Sequence, residues 1–216
     1  MPLKKLKVAV KPQYISTEDP RTVDIILADI KKKSELDSSF FKRIETKLEI
    51  FPVMGRHLTE LSGGELQRVT IAQCLMQSAD IYLLDEPCAF LDVEMRLQVA
   101  RLIRRSIEDY KKCAFVVEHD IITQDFIADS LLVFEGAPGT YGKANPPVDL
   151  RSGMNLFLKD MNITFRRDPH SGRPRVNKIG SRLDQIQKQK GEYYYITTAT
   201  EARTELPEEE ETEEEE

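Results

Sequence analysis

Apolar residues recur along the chain either at helical spacing or in short unbroken runs, and the two patterns alternate. Helical spacing predicts helices over the segments Val23 to Ile30, Phe40 to Leu48, Leu66 to Leu75 and Val93 to Ile107. Short runs predict strands over Lys7 to Val10, Ile81 to Leu84, Cys113 to Val117 and Ser130 to Phe134. Strands that alternate with helices of this length favour an α/β domain with a parallel sheet whose strands are buried on both faces.

The last third of the chain has weaker patterns. The segment from Gly136 to Pro147 is rich in Gly and Pro and predicts a loop or linker, and Leu150 to Met161 predicts one more helix. The final residues, from Glu205 to Glu216, contain nine glutamates and no basic residue. Such a run cannot bury a core, so we expect a disordered acidic tail.

Composition excludes several classes of protein. The 216 residues can form one sizeable domain with appendages, and their 40% hydrophobic and 31% charged content is ordinary for a soluble globular protein. No run approaches the roughly 18 apolar residues of a membrane span, and the N-terminus lacks the apolar segment of a secretory signal. Cys74, Cys88 and Cys113 stand far apart, which argues against a zinc site or an iron–sulfur cluster in this chain. We expect a cytoplasmic protein with no membrane partner.

Charge is segregated along the chain. The formal net charge is −6, and without the nine glutamates of the tail it would be +3. Between Arg151 and Lys190, ten Lys and Arg residues stand against three Asp residues. This basic segment indicates either a surface that binds a phosphate backbone or an ordinary solvated surface, and charge density alone does not decide between them.

Candidate chemistry lies where two predicted strands end. Asp85 and Glu86 directly follow an apolar strand, and His119 follows the strand that ends near Val117. Ligands of open parallel sheets bind at the carboxyl ends of the strands. There one carboxylate can hold Mg²⁺ and the other can orient an attacking water, while a histidine can sense the phosphate. The alternatives are an Asp-Glu pair before a proline turn and a structural histidine.

A second candidate is the start of the third predicted helix, Leu61-Ser62-Gly63-Gly64-Glu65. Ser-x-x-Glu is a capping box that any helix can use. The two glycines weaken the helix by about 1 kcal/mol each, and they leave bare N–H groups at its positive end, where phosphate oxygens can approach closely.

These motifs occur in a fixed order: Gln13 after the first strand, then Leu61 to Glu65, Asp85-Glu86, Ala89 to Asp92, and Glu118-His119-Asp120. From about Val8 to Phe134 the chain therefore resembles the ABC ATPase family. The resemblance implies an α/β, P-loop NTPase-type ABC cassette, in which a parallel sheet core carries a helical signature subdomain.

The resemblance also implies residue roles. Glu86 and His119 would be catalytic, and Asp85 and Gln13 would hold Mg²⁺. The signature and D-loop residues would contact a nucleotide held by another cassette; they are Leu61, Ser62, Gly63, Gly64, Glu65 and Asp92. The implied cofactors are ATP and Mg²⁺, both conditional on a P-loop supplied elsewhere.

Details of the motifs look like the second nucleotide-binding domain of the RNase L inhibitor family, ABC subfamily E. The most specific feature is the basic run from Ile163 to Asp168, followed by Arg173 to Lys178. Members of this family are ribosome-recycling ATPases. The resemblance therefore implies ribosomal subunits, ribosomal RNA and another ABC cassette as partners, with termination or initiation factors as further candidates. The implied RNA contacts are Arg166, Arg167, Arg173, Arg175 and Lys178.

The chain departs from the family in one important way: it contains no G-x-x-x-x-G-K-[ST]. The nearest imitation, Gly136 to Ala144, has the wrong spacing and lies after the Asp-Glu motif. The family places its P-loop before Lys7, so we expect an N-terminally truncated fold with uncovered apolar sheet surface, which does not bind ATP tightly alone. The D-loop has Cys88 and Phe90 where the family has Ser and Tyr.

The predicted organisation has five parts. Residues 1–14 form a core strand and Q-loop, 15–78 a helical signature subdomain, and 79–135 the core with the Asp-Glu motif, D-loop and switch histidine. Residues 136–195 form a basic hinge-like region, and 196–216 the acidic tail.

Three functional hypotheses follow. The first is a partial ATPase cassette of a ribosome-recycling factor, which acts in subunit splitting at termination or initiation. The second is a non-hydrolytic paralogue that binds the ribosome or RNA, or regulates an intact cassette. A DNA-repair or chromosome-maintenance ATPase ranks last, because the chain has no sustained heptads.

Overall fold

The computed structural model describes residues 5–137, 139–167 and 174–195, with the backbone alone at Arg167, Pro174 and Tyr195. The chain forms two compact units, Met1–Ile127 and Ala128–Glu216. None of the helices in these described ranges is long and apolar enough to cross a membrane.

The sheet of the first unit has three strands: β1 (Val8–Lys11), β2 (Ile81–Asp85) and β3 (Cys113–Val117). All pair in parallel, in the order β1-β2-β3, with Lys11 opposite Leu84 and Asp85 opposite Val117. The three strands and the parallel sheet predicted from the sequence are thus confirmed. Their carboxyl ends lie at one edge of the sheet.

Five helices accompany this sheet: α1 (Val23–Lys33), α2 (Ser38–Lys47), α3 (Gly63–Leu75), α4 (Val93–Tyr110) and α5 (Ile121–Ile127). Short 3-10 turns follow α2 at Phe51–Val53 and Leu58–Glu60. The starts of three helices are fixed by side-chain caps, because Asp37, Ser62 and Asp92 accept from the backbone N–H three residues on. The four predicted helices are confirmed; α5 is too short for a periodic pattern.

The core of the first unit lies on one face of the sheet. Ala9, Tyr82 and Leu84 point into a cluster that includes buried residues of α1 to α4, such as Leu27 and Ile44. Burial of this apolar surface stabilises the unit. Three charged residues described in the first unit are also buried: Lys11, Glu45 and Asp125.

The opposite face of the sheet corrects a prediction. Strands buried on both faces were expected, but alternate side chains are 37–54% exposed: Val8, Val10, Leu83, Phe115 and Val117. In the part of the chain that the structure describes, the sheet is therefore covered on one face only. Apolar runs are typical of parallel strands covered on both faces, so these strands have the composition of a sheet with a second layer.

In the second unit, β4 (Ser130–Leu131) pairs antiparallel with β7 (Val148–Asp149), and β5 (Phe134–Ala137) forms a hairpin with β6 (Tyr141–Ala144). The predictions of a single strand over Ser130 to Phe134 and of a loop over 136–147 were therefore wrong. The hairpin depends on Gly136, since a Cβ there would lie 2.2 Å from the carbonyl oxygen of Tyr141. The Gly and Pro residues that predict a loop belong to this hairpin and its turn.

The other described residues of the second unit form two helices and a small sheet. Helix α6 (Leu150–Asp160) confirms the prediction, and α7 (Arg182–Lys190) was not predicted. Strands β8 (Phe165–Arg167), β9 (Pro174–Val176) and β10 (Tyr194–Tyr195) form a sheet in the order β10-β8-β9.

A buried polar network joins this sheet to α7. The Thr164 hydroxyl donates to Asp184 Oδ1 at 2.6 Å, and the Gly180 N–H donates to Oδ2 at 2.9 Å. The Asn177 amide donates to Thr164 Oγ1 at 3.0 Å and to Gln187. The hydrogen bonds from Thr164 and Gly180, chiefly the one from Thr164, lower the pKa of Asp184.

Acid is expected to weaken the second unit through Asp184. Its folded-state pKa lies below the unfolded value of about 3.9, so its stabilising contribution is complete above that pH and is lost as pH falls through the folded-state pKa. We expect Asp184→Asn to lower the urea midpoint of α7 amide protection at about pH 6 and to flatten its decline as the pH falls below about 4. Hydrogen exchange measures this protection residue by residue.

The control for this experiment is Asp160→Asn, at an exposed position at the end of α6. It should leave the α7 midpoint and its pH dependence unchanged. An equal effect of both substitutions would contradict the role given to the Asp184 hydrogen bonds.

Candidate functional site

Three strand ends converge on one carboxylate oxygen. Gln13 follows β1, Glu86 follows β2 and His119 follows β3. Gln13 Nε2 donates to Glu86 Oε1 at 2.9 Å, and His119 Nε2 lies 3.1 Å from the same oxygen. The His119 side chain is 81% exposed and that of Glu86 is 25% exposed, so the cluster opens to solvent. The structure therefore brings together Glu86 and His119, which the sequence places at one edge, and Gln13, whose Mg²⁺ role is implied by the family resemblance.

The backbone of Glu86 is strained. Its φ of 44° lies in the left-handed region, which costs a non-glycine residue roughly 1–3 kcal/mol. Hydrogen bonds on both sides hold this conformation: its N–H donates to the Val117 carbonyl at 2.9 Å, and its carbonyl accepts from Ala89 N–H at 3.2 Å. Such strain is typical of functional sites, where the surrounding contacts hold a side chain in a required direction.

Two buried residues beside Glu86 are not predicted by the sequence pattern. Lys11 Nζ donates to the Asp85 carbonyl at 2.7 Å and to the Glu86 carbonyl at 3.3 Å. Gln67 Nε2, from α3, donates to the Glu86 carbonyl at 2.6 Å. Burial lowers the pKa of Lys11, while the negative charges of Asp85 and Glu86 act in the opposite direction. Two features of the sequence could have indicated them: Lys11 is a lysine in an apolar strand, and Gln67 is a glutamine on the buried side of a helix.

The signature loop is a capping box, as its sequence allows. Ser62 Oγ accepts from Glu65 N–H at 3.4 Å, and Glu65 Oε2 accepts from both the N–H and the hydroxyl of Ser62 at 2.8 Å. Glu65 also pairs with Arg56 at 3.0 Å. The hydrogen bonds from Ser62, more than Arg56, lower the pKa of Glu65. The loop is thereby held at the N-terminus of α3, with half-buried Leu61 before it.

The signature glycines, Gly63 and Gly64, pack against the D-loop, Ala89 to Asp92. A Cβ at Gly64 would lie 3.1 Å from the carbonyl oxygen of Phe90, and one at Gly63 would lie 3.6 Å from the Phe90 ring. Phe90 has a φ of 61° and is 80% exposed. Glycine at position 64 therefore allows the close approach of the two loops.

Asp92 and Cys88 have structural contacts. Asp92 caps α4 by accepting from Met95 N–H at 2.9 Å. The N–H of Cys88 donates to Glu118 Oε1 at 2.8 Å, and burial raises the pKa of the Cys88 thiol. A contact of Asp92 with nucleotide stays a prediction.

The two residues predicted to hold Mg²⁺, Asp85 and Gln13, carry the oxygen ligands that this ion prefers. Asp85 ends β2 and Gln13 lies beside Glu86, so a carboxylate and an amide oxygen stand at one edge. Since the Gln13 NH₂ group donates to Glu86, its carbonyl oxygen is the atom suited to a cation. No group of three or more His, Cys, Asp or Glu residues that could hold a metal occurs in the described ranges. Two protein ligands suit Mg²⁺, which usually keeps waters and phosphate oxygens in its shell.

The basic residues of the second unit lie partly outside the described residues. Arg166 on β8 is paired across the strands with Arg175 on β9, and Lys178 follows; all three side chains are exposed. Arg167 is described by its backbone alone, and Arg173 lies outside the described residues, as does the acidic tail. We call the described residues of β8 and β9, with Lys178 after them, the basic hairpin; this surface presents positive charge together with exposed Val176 and Ile179.

Comparison with known sequences agrees with this geometry. The family model described as ABC transporter matches residues 4–89. An uncharacterised ABC transporter ATP-binding protein of Methanocaldococcus jannaschii is 52% identical over 192 residues, 88% of this chain and 32% of that protein. Translation initiation factor RLI1 of Saccharomyces cerevisiae is 44% identical over 192 residues, 89% of this chain and 32% of that protein.

A solved structure is similar as well. It is the archaeal ribosome recycling factor aABCE1 in complex with the ribosomal stalk protein aP1, with 52% identity and a TM-score of 0.83 over 89% of this chain and 37% of that chain. This similarity confirms the predicted α/β ABC cassette fold. The chain spans about a third of the length of each of these three proteins. With the ordered motifs and the parallel sheet, the comparisons show that the chain belongs to the ABC ATPase superfamily and, within it, to subfamily E, the RNase L inhibitor family.

Proposed function

We propose that this chain is part of the ATP-hydrolysing cassette of a ribosome-recycling factor, which splits ribosomal subunits at termination or initiation. The observation that carries the proposal is the contact of Gln13 and His119 with one oxygen of Glu86. Similarity to a ribosome recycling factor and to a translation initiation factor supports the cellular role, which implies a cytoplasmic location.

ABC ATPase domains bind ATP and Mg²⁺, and bound Mg·ATP supplies the phosphoryl group that is attacked. Glu86 orients the attacking water and accepts its proton, since its carboxylate is held at the mouth of the sheet. His119 fixes the direction of that carboxylate through Nε2. Asp85 and Gln13 provide oxygen ligands for Mg²⁺.

The signature loop acts on a nucleotide held by another ABC cassette. Ser62, Gly63 and Gly64 offer a hydroxyl and the N–H groups of a helix N-terminus, which favour a phosphate. Leu61, Glu65 and Asp92 keep this loop and the D-loop in place. A composite site of this kind supplies the P-loop that this sequence does not contain.

The exposed basic hairpin is the ribosomal contact. Arg166, Arg175 and Lys178 place three positive charges on one short stretch of surface, and Arg167 and Arg173 extend it along the sequence. Arg and Lys at such a density bind phosphate backbones. The proposed partners are ribosomal RNA within the subunits, with termination or initiation factors as further partners of the assembled factor.

One observation favours a second candidate. The sequence contains no G-x-x-x-x-G-K-[ST], so the chain by itself has no phosphate cradle. A non-hydrolytic paralogue would bind the ribosome or RNA, or regulate an intact cassette, without turnover. The two candidates differ in what a substitution of Glu86 does to ATP hydrolysis: it lowers turnover in the first and has no turnover to lower in the second.

The substitution Glu86→Gln tests the ATPase. The assay uses this chain joined to an upstream segment that carries a G-x-x-x-x-G-K-[ST] motif, with a second cassette present. We expect kcat for ATP hydrolysis to fall about 100-fold or more, because the amide cannot accept the proton of the attacking water. Phosphate release measured against ATP concentration gives kcat and KM.

Glu108→Gln, an exposed change of the same chemistry on α4, is the matched control and should retain full turnover. Turnover that survives Glu86→Gln would remove the catalytic role of this carboxylate. Absence of turnover in the unsubstituted protein would favour the non-hydrolytic candidate.

The basic hairpin is tested by replacing Arg166, Arg175 and Lys178 together by Ala. Binding to purified ribosomal subunits without nucleotide should weaken, and the slope of log affinity against log salt should fall by roughly 2–3, because each lost phosphate contact removes about 0.7–0.9. Co-sedimentation across a salt series measures both.

The control removes three exposed positive charges from the first unit instead: Lys42, Lys47 and Arg105. Both variants have the same net charge, so only the location of the charges differs. Equal losses in the two variants would show that bulk charge, and not the hairpin, determines binding.

A further inference from the structure

Two buried side chains from different elements meet at the carbonyl oxygen of Glu86. Lys11 comes from β1 and Gln67 from α3, and each residue is 1% exposed. Their donor atoms lie 3.3 Å and 2.6 Å from that oxygen. Lys11 also donates to the neighbouring Asp85 carbonyl at 2.7 Å. A charged lysine and a glutamine amide are thus buried at the point where β2 ends.

The Lys11 and Gln67 donors bind the carbonyl of Glu86, a residue whose backbone conformation is strained. Glu86 has a φ of 44°, and rotation of its backbone would turn its carboxylate away from Gln13 and His119. Burial of a polar group is costly unless it is hydrogen-bonded, so the Lys11 and Gln67 donors favour the conformation in which these carbonyls face them. The contact also joins β2 to α3, whose first turn is the signature loop.

We propose that Lys11 and Gln67 are positioning residues that fix the Glu86 peptide, so that its carboxylate stays in contact with Gln13 and His119. Neither residue touches the reacting groups themselves. The catalytic consequence rests on the proposed function, but the positioning of the Glu86 carboxylate does not depend on it.

The first test measures position without nucleotide. Lys11→Met and Gln67→Met keep the length of each side chain and remove its donor. In the present chain we expect both variants to shift the NMR signals of the Gln13 side-chain amide and the His119 ring towards those of Glu86→Ala, in which the contact is absent. Unchanged backbone amide signals of α2 verify that each variant is folded.

Gln77→Met is the matched control, because the Gln77 side-chain amide donates to the nearby Gln73 carbonyl of α3, at 3.0 Å, and not to Glu86. It should leave the Gln13 and His119 signals in place. Folded Lys11→Met and Gln67→Met proteins with unshifted signals would overturn the proposal. If one variant does not fold, the other decides by the same criterion.

The second test uses the complemented ATPase. Both variants should lower kcat by about 10- to 100-fold while KM for ATP stays within about twofold, because a displaced carboxylate affects the chemical step more than binding. Equal kcat in variants and unsubstituted protein would contradict the positioning role. Shifted NMR signals together with turnover that Glu86→Gln does not change would support positioning and refute only the catalytic role of Glu86.

Discussion

In the first unit three strands run parallel, so their carboxyl ends, each followed by polar side chains, meet at one edge of the sheet. The contact of Gln13 and His119 with Glu86 depends on this pairing, because the three residues are 33 or more positions apart in the sequence. The register places Asp85 opposite Val117, which brings Glu86 level with the residues that follow β3. Helical packing on the inner face holds the strands in that register.

The site is kept in place by buried polar contacts as well as by apolar packing. Glu86 adopts a left-handed backbone conformation, and the buried donors of Lys11 and Gln67 lie against its carbonyl. A similar arrangement occurs in the second unit, where Thr164, Asn177, Asp184 and Gln187 form a buried network beneath the basic hairpin. In each unit hydrogen-bonded polar groups fix the geometry of an exposed surface, which apolar packing alone specifies less sharply.

Periodicity predicted the elements of the first unit well, since long amphipathic helices and apolar strands have clear patterns. It did not predict that Leu83, Phe115 and Val117 are exposed, because an apolar run does not report which faces are covered. The β5–β6 hairpin was missed because its Gly and Pro residues are typical of loops. The contacts of Lys11 and Gln67 with Glu86 join positions far apart in the sequence, so no local pattern contains them. Motif order singled out Gln13, Glu86 and His119, which the sheet topology brings into contact; their roles stay predictions.

We propose that this chain contributes catalytic and signature groups to composite ATP sites, while another segment must hold the phosphates. Titration of a fluorescent ATP analogue against the purified chain in Mg²⁺ tests it most directly. We expect no binding below millimolar concentration, and micromolar binding once a G-x-x-x-x-G-K-[ST] segment is joined upstream. Micromolar binding by the chain alone would contradict it, because the phosphates would then be held by groups other than a P-loop.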